Sequence, residues 1–153
     1  MQLIIRAHGR PAPQGSKESG GAGQLRESSI YLPSWRQAVK IAAWRACKDA
    51  GYLPAELPLF PRGSRVVVEL MHFYVLPEQC RAEGTDDPLG DPDLDKLMRA
   101  VLDALGGANK RASSSARLYA DDSQVMGCRS LWKYRATPEQ PAGAVIIISD
   151  GRD

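Results

Sequence analysis

Leu94, Leu97, Met98, Val101, Leu102 and Leu105 recur at three-and-four spacing, the clearest helical signal in the chain, and Gly106-Gly107 stops it. A second helix is predicted from Ser34, where Ser34 followed by Gln37 makes a capping-box pattern, to about Ala50, with Gly51 ending it. Along it Val39, Ala42, Ala43, Trp44 and Ala46 can face a core, while Arg36, Lys40 and Lys48 lie largely outside. Gln2 to His8 reads as a short strand bounded by Gly9, and Ser64 to Leu76, dense in Val, Leu, Phe and Tyr, as a central strand. Gln124 to Tyr134 and Gly143 to Ser149 read as two final strands joined across the Thr137-to-Pro141 turn region. The order β-α-β-α-β-β predicts an α+β fold: two layers, with a small mixed β-sheet packed against helices. A single domain over residues 1–153 is expected, with mobile loops at 9–33, rich in Gly and Pro, and at 106–120, which lacks periodicity.

Composition changes this picture little. The apolar and charged fractions, 43% and 25%, are ordinary for a globular chain of one core. Cys47, Cys80 and Cys128 are odd in number and form no CxxC pair, which argues for reduced thiols in a cytoplasmic protein over a disulfide framework or zinc site. Met1 to Arg10 carries no long apolar stretch, so no signal peptide is expected, and no run approaches a membrane span. The net charge of +2 is small, but its distribution is uneven. Residues 81–95 hold one base against six acids, whereas 105–120 hold Lys110, Arg111 and Arg117 and no acid. An acidic spot framed by basic segments suits a metal-dependent enzyme that acts on a polyanion; ordinary surface patchiness produces the same pattern.

The acidic run Asp91-Pro92-Asp93-Leu94-Asp95-Lys96 opens the strongest helix. Asp93 at or before the first turn is favoured as an anion by the helix dipole, and Asp95 can pair with Arg99 one turn on. Taken alone this is a helix cap and an ion pair. Alternating Asp91, Asp93 and Asp95 also suggest a calcium loop. An EF-hand, however, needs Gly and Glu where Lys96 and Leu102 stand. Gly9 to Lys17 fails as a phosphate-binding loop because the glycine spacing and the Ser16-Lys17 order are wrong. His72, with no second His or Cys at ligand spacing, reads as a packed strand residue. The second motif, Asp121-Asp122-Ser123-Gln124-Val125, precedes a strand. A loop there can return to the N-terminal end of the preceding helix, where three carboxylates could hold one or two Mg²⁺ ions and a Lys or Arg could neutralise a phosphoryl group.

At these residues the chain resembles the RusA family of Holliday-junction endonucleases. The resemblance runs in order through Asp93-Leu94-Asp95-Lys96-Leu97, Leu102-Asp103-Ala104-Leu105 and Asp121-Asp122-Ser123-Gln124-Val125. Gly9 to Lys17 and Pro33-Ser34-Trp35-Arg36 are similar to phage and actinobacterial members. It implies a RusA-like fold and a small homodimeric, Mg²⁺-dependent endodeoxyribonuclease that nicks four-way DNA junctions in recombination and repair. The family's metal-binding acids fall on Asp93, Asp95 and Asp122. Its catalytic lysine falls on Arg99, which keeps the charge without being equivalent, and Lys96 stands where the family often has Asn. Either Lys96 or Arg99 is expected to fill the electrostatic role. Gly106 to Tyr119 is also longer than the family's usual link. Lys17, Arg26, Arg36, Lys110, Arg111 and Arg117 are expected to track the phosphate backbone. Two rival readings remain: a junction-binding module without catalysis, and a Mg²⁺-dependent nucleotide phosphohydrolase.

Overall fold

A computed structural model describes residues 1–15, 17–20, 24–27, 29–75, 88, 92–106 and 117–152, with 17–20 and 24–27 described by their backbone. Among these residues six strands and two α-helices follow in the order β1 (Gln2–His8), β2 (Lys17–Gly20), β3 (Gln24–Glu27), α1 (Leu32–Asp49), β4 (Val66–Tyr74), α2 (Leu94–Gly106), β5 (Val125–Arg135) and β6 (Gly143–Ser149). Short 3₁₀ turns occupy Pro54–Glu56 and Asp122–Gln124. The fold is α+β, with a four-stranded mixed sheet in the order β1-β6-β4-β5. β6 runs antiparallel to both β1 and β4, while β4 and β5 are parallel. The two final strands are therefore joined by a turn but do not pair, because β4 lies between them.

One face of the sheet carries the helices. Leu3, Ile5 and Ala7 of β1, Val66, Val68, Leu70 and His72 of β4, and Ala144, Ile146 and Ile148 of β6 alternate onto it and are buried. α1 packs along β1 and on α2, and α2 reaches β5. The buried stripe of α1 is Leu32, Trp35, Val39, Ala43 and Cys47, and that of α2 is Leu97, Ala100, Val101, Ala104 and Leu105. His72 is fully buried, as expected of a packed strand residue. Among the described residues, no helix is long and apolar enough to cross a membrane.

Three expectations are corrected. Within the expected loop at 9–33, β2 and β3 pair as a separate antiparallel hairpin, Lys17 opposite Glu27 and Glu18 opposite Arg26. Its strands, Lys-Glu-Ser-Gly and Gln-Leu-Arg-Glu, lack the apolar alternation that marks a strand resting on a core. α1 begins two residues before Ser34, with Tyr31 at the cap position and Pro33 in the first turn, where a missing N–H costs nothing. The Ser34 hydroxyl donates backward to the Tyr31 carbonyl (2.9 Å) and caps no N–H. On α1, Trp35 takes the core position and Trp44 is exposed, because the buried stripe follows 35-39-43-47 rather than 39-42/43-46.

Candidate functional site

α2 starts at the end of the sheet where the parallel strands β4 and β5 finish. The Lys133 ammonium, near the end of β5, donates to the Pro92 carbonyl (3.3 Å), and the Gln14 backbone N–H donates to the Lys96 carbonyl (3.0 Å). These two contacts tie the start of α2 to the sheet and to the Gly9–Gly15 segment. The Lys96 ammonium sits 2.8 Å from the Asp93 carboxylate in an i,i+3 pair open to solvent. That hydrogen bond and the Lys96 charge, with a smaller contribution from Lys133, hold the Asp93 carboxyl below the usual range. Asp95 and Arg99 are both exposed, and they form no ion pair with each other within 4.0 Å. Of the two basic candidates, Lys96 is engaged by Asp93, and Arg99 pairs with no carboxylate among the described residues.

Asp122 lies elsewhere. The hydroxyl of buried Tyr119 donates to the Leu102 carbonyl (2.6 Å), bringing the following turn against the C-terminal half of α2. A Cβ on Gly106 would come within 2.6 Å of Asp122 Oδ1 and closer still to the Tyr119 ring, so only glycine lets this turn approach. With one oxygen lodged there, the Asp122 carboxyl is raised above its ordinary range, first by loss of water and then by the charges of Asp103 and Asp121. Asp103, half-buried, accepts from an Arg36 terminal nitrogen (2.7 Å), which also reaches Gln14 Oε1 (2.6 Å). Arg36, expected to track phosphate from the surface, is thus committed to a carboxylate.

The turn is held by Gln124, whose role the motif alone did not reveal. Its Oε1 accepts from the backbone of Ala120 (2.9 Å) and Asp121 (2.8 Å). Its Nε2 donates to the carbonyls of Pro61 (2.8 Å) and Ser64 (3.0 Å), with a longer contact to Phe60 (3.3 Å). Asp121 Oδ1 accepts from the Ser123 N–H (2.9 Å) and hydroxyl (2.6 Å), so Asp121 caps the 3₁₀ turn. The available signal was Asp121-x-x-Gln124, the spacing of a capping box.

The three expected metal ligands therefore do not meet at the N-terminal end of α2. Gly106 lies eleven positions after Asp95, roughly 16 Å of helix axis at 1.5 Å per residue. The helix brings Asp95, Arg99 and Asp103 onto one stripe at i, i+4 and i+8, and Asp122 closes its far end. Among the described residues, no three His, Cys, Asp or Glu side chains gather into a metal-holding group. As they stand, Asp93, Asp95 and Asp122 do not fit a single Mg²⁺ ion. Lys17 and Arg26 lie on the paired strands β2 and β3, and Arg117 precedes the β-bridge between Phe60 and Tyr119. Asp91, Lys110 and Arg111 lie outside the described residues. No family model matches the chain, and no curated protein matches it.

Proposed function

We propose that this chain is a RusA-like, Mg²⁺-dependent endodeoxyribonuclease that resolves four-way junctions and other branched DNA, acting as a homodimer with two sites for two symmetric nicks. The observation that supports the reading is the stripe Asp95–Arg99–Asp103 ending at Asp122: both acidic motifs of the sequence flank one edge of α2, exposed at Asp95 and Arg99. Arg99 is exposed and, among the described residues, carries no ion pair with a carboxylate, which supports a role in taking a substrate phosphate, and the raised Asp122 carboxyl is a better proton acceptor than an ordinary aspartate. The Mg²⁺ requirement enters through the resemblance. A divalent ion held by one or two carboxylates together with substrate phosphate is the usual arrangement for Mg²⁺.

The test is a synthetic four-way junction incubated with purified protein and Mg²⁺. Paired nicks are expected, lost on chelation. Asp95→Asn and Asp122→Asn should each lower cleavage by about 10²-fold or more, the scale of removing one transition-state electrostatic group, while leaving junction binding in place. A second reading, a junction-binding module without catalysis, is favoured by one observation: Lys96 occupies Asp93 and the acids stand apart. A junction that is bound yet intact in Mg²⁺ selects it. Hydrolysis of free nucleotides with no action on DNA selects a phosphohydrolase.

A further inference from the structure

An open cleft of about 530 Å³ borders the Asp122 turn, with no residue of α2 among those that line it. Arg62, Ser64, Arg65, Asp121, Ser123 and Gln124 contribute to its walls. Its two arginines come from the turn that leads into β4. The Ser64 N–H donates to the Pro61 carbonyl (3.0 Å), and Gly63 takes a φ of +90°, the left-handed geometry that the third position of a type II turn demands. Arg62 is thereby set at the apex of a tight turn. The same turn is clamped at both ends by the buried Gln124 amide, through the carbonyls of Pro61 and Ser64. Arg65 is steadied by its Nε, which donates to the Asp150 carbonyl (3.2 Å). The one acid of the lining, Asp121, has one oxygen engaged by Ser123, so the charged side chains of the wall are two arginines against one aspartate.

We propose that this cleft is a phosphodiester-binding subsite, in which Arg62 and Arg65 grip a backbone phosphate of the DNA strand that passes Asp122. The assignment rests on the nuclease reading for its ligand and deepens it by giving the strand a path. Asp121 and Ser123, which line the cleft, are the chain neighbours of Asp122, each about 3.8 Å away at Cα, so Asp122 stands one residue from the cleft wall. A strand gripped in the cleft is held beside the acid. Gln124 couples the two rigidly, because one amide fastens both the arginine-bearing turn and the carboxylate turn. Planar guanidinium forks suit phosphate oxygens, and a two-arginine clamp carries no base preference.

The experiment measures the affinity of the full chain for a four-way junction across a range of KCl concentrations, in chelator, so that binding is read without cleavage. Each lost phosphate contact should flatten the slope of log K against log[salt] by about 0.9. Arg62→Ala is expected to flatten it by about 1 and Arg62→Ala/Arg65→Ala by about 2. Arg45→Ala, an exposed position on α1, should leave it unchanged. Arg62 is exposed at a turn apex, so the single variant retains the fold even where the double one, which also loses the Asp150 contact, melts early. An unchanged slope in Arg62→Ala overturns the subsite, as does an equal change in Arg45→Ala. Junction binding with the expected slope change, but no nicking in Mg²⁺, upholds the subsite and overturns the nuclease reading. A wild-type chain that binds no DNA overturns both.

Discussion

His72 occupies the helix-facing side of β4, flanked by Ala144 on β6 and Lys133 on β5. Both ring nitrogens are buried without a hydrogen bond of good geometry. Burial outweighs a small opposing contribution from the Trp132 backbone and pulls the imidazole pKa down to about 4. The unfolded chain takes up this proton as pH falls below about 6.5, whereas the native protein stays neutral until about 4. Protons thus favour the unfolded state throughout that window. Stability from this group is complete above pH 6.5 and falls by about 3 kcal/mol on acidification to pH 4. Urea unfolding between pH 7 and pH 4 should show that fall in the wild type, and a shallower one in His72→Leu. Equal slopes in both would mean that His72 is protonated in the native state. The sequence reading of His72 rested on the absence of ligand partners, and the burial agrees with it. The cost of its two unpaired nitrogens was not legible, since it depends on what strands β5 and β6 place on either side.

α2 was the most legible element because its apolar spacing is strict, and the structure starts it at Leu94 and carries it through Gly106. The hairpin of β2 and β3 was illegible for the opposite reason: its strands, Lys-Glu-Ser-Gly and Gln-Leu-Arg-Glu, pair only with each other and carry no apolar alternation. α1 lies between these cases. Its existence was readable, but Trp35 and Trp44 are both good core residues, and only the crossing of α1 over β1 and α2 decides which is buried. The helix ends at Gly106, as the Gly106-Gly107 stop predicts, and Gly106 is also the point where the Tyr119–Asp122 segment touches α2. In an ordinary helix Gly→Ala stabilises by roughly 0.5–1 kcal/mol. Here the added methyl meets a buried ring and a carboxylate oxygen, and overpacking costs typically about 1–3 kcal/mol. Gly106→Ala is therefore expected to destabilise by about 1–2 kcal/mol in chemical denaturation and to lower junction cleavage by displacing Asp122. A more stable Gly106→Ala protein would show that the turn does not pack as described.

Across the whole molecule, element order was readable from pattern, while strand order was not. Nothing in the spacing of β4, β5 and β6 says that β6 inserts between β1 and β4, because the register depends on which apolar faces meet. The same non-local fact placed the second acidic motif. Because β5 runs parallel to β4, the turn before β5 lies at the end where β4 starts, while α2 begins where both strands finish. The turn before β5 thus sets Asp122 against the C-terminal half of α2 and leaves Asp95 a helix length away. This separation makes a quantitative prediction. Residues more than about 7–10 Å apart with no shared partner contribute additively to stability, within roughly 0.3–0.5 kcal/mol. Asp122→Asn should stabilise the protein at neutral pH by removing first the cost of a partly desolvated charge and then the repulsion from Asp103 and Asp121, since a carboxyl raised in the native state costs stability once ionised. Asp95→Asn should leave that gain unaltered, so the double variant is the sum of the singles. The cycle is then repeated with Mg²⁺. Two separate stations remain additive. A single ion shared by Asp95 and Asp122 would instead couple them, and a coupling energy above about 1 kcal/mol that appears only with Mg²⁺ would show that metal redraws the turn toward the start of α2.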